Sequence, residues 1–131
     1  MKRAAPFLLI LVAAIAQAED APMSGPEFRA ASEGHTLYFE TLDGEYFGAE
    51  QYFEDNRSVW LPRQGQCIPG VWAAAEDKIC FLHYGEVACW RIYGENGEVT
   101  HADAADQGDT LTLKVVRRDK SPVLCPDGPG V

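Results

Sequence analysis

From His35 onward apolar and polar residues alternate, and turn residues interrupt the pattern about every eight to twelve positions. This predicts eight short strands, near 35–42, 45–54, 57–63, 67–75, 77–84, 87–94, 98–103 and 109–117. Ahead of them, Ser24 is an N-cap for a short helix opening on Gly25-Pro26-Glu27-Phe28, and Gly34 is its stop. Phe28 is the expected anchor of that helix in the core. The fold class expected is therefore all-β with a short N-terminal helix. An antiparallel meander of this kind forms a small barrel or a strongly curled sheet. A two-sheet sandwich is the alternative.

The turns predict register. Asp43-Gly44 is a two-residue hairpin signal that sets Phe39 opposite Gly48 and Glu40 opposite Phe47. One face then carries Leu37, Phe39, Tyr46 and Tyr52, and the other Tyr38, Phe47 and Ala49. A two-residue turn at Asp55-Asn56 sets Glu54 opposite Arg57, Tyr52 opposite Val59, and Trp60 opposite Gln51. Trp60 thereby joins Tyr38 and Phe47. Both faces of this sheet are aromatic, so it is packed on both sides or one side binds something.

Centring the third hairpin on Tyr84-Gly85 pairs His83 with Glu86 and Cys80 with Cys89. Alternation makes the 80/89 pair non-hydrogen-bonded, with Cα atoms about 4.5 Å apart, within disulfide range. Cys80–Cys89 is the expected bridge, and elimination leaves Cys67–Cys125. Ile79, Phe81, Ala88, Trp90 and Ile92 form the opposite, core face. Asn96-Gly97 sets Ile92 opposite His101 and Trp90 opposite Asp103. Leu111, Leu113 and Val115 alternate with Thr112 and Lys114 in the last strand.

The leader changes the picture most. Lys2-Arg3, an apolar run from Phe7 to Ala16 and the small-x-small site Ala16-Gln17-Ala18 give residues 1–18 the anatomy of a signal peptide. The apolar run is shorter than the roughly 20 residues that span a bilayer. Residues 19–131 are then one domain, periplasmic or secreted, with no membrane insertion after cleavage. An even count of four cysteines in an exported chain reads as two disulfides. Their spacings, 12, 8 and 35 intervening residues, do not suit zinc, and no metal or other cofactor is expected. Losing Lys2 and Arg3 with the leader takes the formal charge from −9 to −11, which disfavours nucleic acid and anionic lipid as partners.

Candidate chemistry is sparse. No nucleotide loop, G-x-S-x-G, H-E-x-x-H or EF-hand motif is present. His83 reads as a surface cross-strand partner of Glu86. His101 with Asp103, or His35 with Glu50 and Tyr52, could supply a His–carboxylate site. No catalytic nucleophile goes with either, because all four cysteines are assigned to bridges. Tyr38, Phe47, Phe53 and Trp60 are the candidate binding surface, since barrel mouths bind ligands through such residues.

Pro26-Glu27-Phe28, Gly34-His35-Thr36-Leu37, Tyr46-x-Gly48-x-Glu50-x-Tyr52, Cys67-x-x-Gly70-x-Trp72, Ile79-Cys80-Phe81 and Cys89-Trp90 together resemble small exported proteins of alphaproteobacteria. The resemblance covers most of residues 19–131. It implies a compartment and a lineage, and carries over no activity and no catalytic residue. The function expected is a non-enzymatic module, monomeric, that binds a small ligand or an envelope protein, an inhibitor of a hydrolase being one form. The alternative is a small periplasmic hydrolase built on one of the His–carboxylate pairs.

Overall fold

All eight expected strands form and close on themselves. The computed structural model describes residues 2–6, 8–10, 21–106 and 110–126. Its strands are β1 (Thr36–Thr41), β2 (Tyr46–Tyr52), β3 (Arg57–Pro62), β4 (Ile68–Ala75), β5 (Lys78–His83), β6 (Glu86–Glu95), β7 (Glu98–Ala104) and β8 (Thr112–Asp119). Each pairs antiparallel with the next, and β8 returns to β1, so the meander is a closed barrel rather than a sandwich. Closure gives every strand a paired neighbour on each side. The expected leader, including Ala16–Ala18, lies largely outside the described residues; its described pieces, 2–6 and 8–10, have no regular structure. Among the described residues no helix is long and apolar enough to cross a membrane.

The helix α1 (Gly25–Ser32) seals one end. Ser24 Oγ accepts from the Glu27 backbone, and the Glu27 side chain accepts from the Ser24 backbone, closing a capping box. Those hydrogen bonds from Ser24 hold the Glu27 carboxyl below its usual pKa. Phe28 is fully buried and packs edge-on against Tyr52, Trp72 and Phe81 at 5.4, 5.0 and 6.2 Å. It is the plug of the barrel, as its place in the helix predicted. Gly34, with φ +77°, turns the chain from α1 into β1.

Both expected disulfides form, Cys67–Cys125 and Cys80–Cys89. Tyr84 and Gly85 both take positive φ, as a two-residue hairpin with right-handed twist requires, and Cys80 falls opposite Cys89. The C-terminal tail crosses the outside of the barrel. Thr36 Oγ1 donates to the Ser121 carbonyl, the Val123 backbone donates to Gln51 Oε1, and Cys125 bonds to Cys67.

Three registers differ from the periodic expectation, each through one extra residue. At the first hairpin, Phe39 faces Gly48 but Glu40 faces Tyr46, so Phe47 is a bulge. The bulge turns Phe47 into the barrel and leaves Tyr46 outside, the reverse of strict alternation. At the second, the turn is three residues rather than two: the Phe53 backbone donates to the Arg57 carbonyl around Glu54-Asp55-Asn56. Tyr52 therefore faces Ser58, and Trp60 faces Glu50 instead of Gln51. A one-residue slip moves every side chain to the other face, and Trp60 goes inside, away from Tyr38. At the fourth, Thr100 is extra, so Ile92 faces Ala102, Trp90 faces Ala104, and His101 is turned outward opposite Tyr93.

Candidate functional site

The inward side chains do not fill the barrel. A cavity of about 180 Å³ remains, walled by Leu37, Phe39, Phe47, Trp60, Phe81, Trp90 and other apolar residues. Its floor is Phe28. At the far end stand half-buried Phe47, Trp60, Ala88 and Trp90. Trp60 packs at 6.1 Å from Phe39 and 5.7 Å from Phe47. Its indole lies against Gly48, where a Cβ would come within 2.6 Å of the ring.

One polar group of three residues interrupts this apolar wall. Glu50 points inward from β2, with its side chain only 9% exposed. Its Oε2 accepts from the Tyr52 hydroxyl at 3.1 Å. Among the described residues its Oε1 has no hydrogen-bond partner; it faces Nε2 of His83 at 3.7 Å, within ion-pair range and too long for a hydrogen bond. His83 Nε2 is likewise buried without a partner. Burial, with the Glu50 charge and the hydrogen bond to it, pushes the Tyr52 hydroxyl well above its ordinary pKa.

Backbone arithmetic explains how β2 and β5 meet. They are not neighbours; β3 and β4 lie between them. The inward position of β4 at this level is Gly70, where a Cβ would come within 2.5 Å of His83 Cδ2 and 2.7 Å of Nε2. Glycine leaves that volume open, and the imidazole, stacked parallel to Phe81 at 6.1 Å, occupies it on the way to Glu50. Ser58, opposite Tyr52 on β3, adds a further buried hydroxyl without a partner.

The sequence-derived candidates divide. Phe47 and Trp60 meet inside the barrel. Tyr38 stands on the outer face, with the Arg117 guanidinium 4.7 Å above its ring and its hydroxyl donating to Asp119. Burial first, then the Asp119 charge, raises the Tyr38 pKa. Phe53 lies beside the second turn under Arg57 at 5.7 Å. The four therefore do not form one surface.

Glu50 and Tyr52 do pair; the His35 carbonyl accepts from the Tyr52 backbone, but its imidazole turns to the Glu33 carbonyl, with Nδ1 3.0 Å away. His83, expected at the surface opposite Glu86, takes that place inside. The signal for it was its alternation with Phe81 and Ile79 on the core face of β5. His101 does not face Trp90 and Ile92; it stacks on Tyr93 at 4.7 Å, while Asp103 accepts from Thr112. No group of three or more His, Cys, Asp or Glu among the described residues is arranged to hold a metal.

Comparison with known protein families, curated proteins and solved structures finds no match.

Proposed function

We propose that this barrel is a binding module that takes a small, largely apolar ligand into its interior. The observation that carries the reading is the cavity of about 180 Å³, floored by Phe28 and walled by aromatic side chains. An engineered apolar cavity of about 150 Å³ holds benzene. The space here suits a ligand of one aromatic ring or a short branched chain. Small β-barrels that hold one ligand in this way are a recurrent solution. The setting proposed is the periplasm or the secreted medium. The two disulfides, which engage all four cysteines, are compatible with oxidising surroundings.

The test is a titration of the oxidised protein with toluene, followed through the three tryptophan indole N–H signals by NMR. Trp60 and Trp90 line the cavity, and their signals should shift saturably. Ala88→Phe, which adds a ring at the half-buried end of the cavity, should stay folded and abolish the shifts. Unmoved Trp60 and Trp90 signals, with toluene and with other single-ring compounds, would sink the reading.

A further inference from the structure

The polar group in the wall specifies the chemistry of the ligand. Resting on the interior-binding reading, we propose that the ligand carries a cationic nitrogen, a primary ammonium or amidinium, which seats on Glu50 Oε1 with its apolar body against the aromatic wall.

Five observations converge. Glu50 is a carboxylate nine-tenths buried in an apolar cavity, and among the described residues one of its two oxygens has no hydrogen-bond partner. A buried charge left in that state is unfavourable unless a partner is supplied. His83 stands closest, at 3.7 Å, and its Nε2 is itself without a partner. With the imidazole proton on Nδ1, Nε2 is a second acceptor beside Oε1. An ammonium has donors for both, whereas an anion would be repelled by the carboxylate.

The surroundings favour a cation as well. Phe39, Phe47, Trp60, Phe81 and Trp90 present ring faces or edges to the same cavity. Cations are attracted to aromatic faces, most strongly where water is excluded. The chain is acidic overall, at −9, which raises the local concentration of cations at its surface. Gly70 completes the case: it opens the volume through which His83 reaches Glu50. The wall thus brings the unpartnered Glu50 Oε1 and His83 Nε2 together in one place.

Benzylamine, benzyl alcohol and toluene share one ring and differ in the head group, so they separate this inference from the one it rests on. Binding is measured by NMR titration of the native, oxidised protein. Benzylamine should bind about tenfold or more tightly than benzyl alcohol, the scale of a charge-assisted hydrogen bond in a buried site. Glu50→Gln should remove that preference. If Glu50→Gln does not fold, the benzylamine to benzyl alcohol ratio on the native chain decides alone. Toluene binding with no preference for benzylamine overturns the cation site and leaves the apolar pocket standing. Failure of all three compounds overturns both.

Discussion

The imidazole of His83 occupies the volume that a Cβ on Gly70 would take, with Cδ2 2.5 Å from that point. Two residues from adjacent strands therefore share one site, and the larger is possible only because the smaller has no side chain. Gly70→Ala should push His83 away from Glu50. Overpacking of this kind costs about 1–3 kcal/mol. In urea denaturation, His83→Ala in the Gly70→Ala background should recover part of the loss. The Leu82 carbonyl, 2.8 Å from the same point, keeps the recovery partial. Additive effects of the two substitutions would show that they do not share the space.

Phe28 joins the helix to the barrel through three aromatic contacts and no solvent exposure. Phe28→Ala should cost about 3–5 kcal/mol, a large part of the stability of a domain this size. The same substitution opens the floor of the cavity. Equilibrium unfolding measures the first effect. Faster ligand exchange in NMR line shapes would report the second.

The two disulfides should not contribute equally. Cys67–Cys125 closes a separation of 58 residues and straps the tail over the barrel, whereas Cys80–Cys89 closes 9 already joined by a hairpin. By the loop-entropy relation the long bridge is worth about 4 kcal/mol. The double substitution Cys67→Ala/Cys125→Ala should therefore lower Tm more than Cys80→Ala/Cys89→Ala. Equal losses in thermal unfolding would mean that loop length does not set what each bridge contributes.

Tyr52 sets an alkaline limit. Its folded pKa lies well above the ordinary tyrosine value near 10, so the folded state keeps a proton that the unfolded state releases. The stabilisation is fully present below that ordinary value and is lost as pH rises beyond it toward the folded pKa. Unfolding free energy should fall with pH above about 10, and Tyr52→Phe should flatten that fall. An unchanged slope in Tyr52→Phe would place the alkaline sensitivity elsewhere.

Asp77 acts at the other end of the scale. The hydrogen bond from Arg91, at 2.9 Å, holds its carboxyl below the usual range. The stabilisation is present above the unfolded carboxylate pKa near 4 and is lost as pH falls through the lower folded value. Both groups are solvent-exposed, so the effect should be small and should fade with added salt. Asp77→Asn should leave stability at neutral pH nearly unchanged in high salt, as measured by urea melts.

Local signals in the chain were enough for much of this architecture. Ser24 and Glu27 mark the helix start because a capping box is built from neighbours in sequence. Gly85 marks the third hairpin because its turn needs positive φ, and that turn alone brings Cys80 opposite Cys89. Eight alternating segments between turns imply a meander, because an antiparallel strand buried on one face has period two.

What alternation could not supply was the inside of the barrel at three places. Phe47, the Glu54-Asp55-Asn56 turn and Thr100 each add one residue, and one residue exchanges inside for outside. Those extra residues belong to the curvature that closure requires, which is a property of all eight strands together. Hence Trp60 and Phe47 came inside, Tyr38 stayed out, and His101 left the core. The meeting of Glu50 with His83 is of the same kind. The two lie on strands separated by two others, and a glycine between them clears the way. The helix cap, the strands, the hairpin turns and the pairing of cysteines are legible in the chain, because each depends on neighbours or on elimination. Which side chains share the cavity emerges only on folding, because strand register and barrel closure are set by packing across the whole sheet.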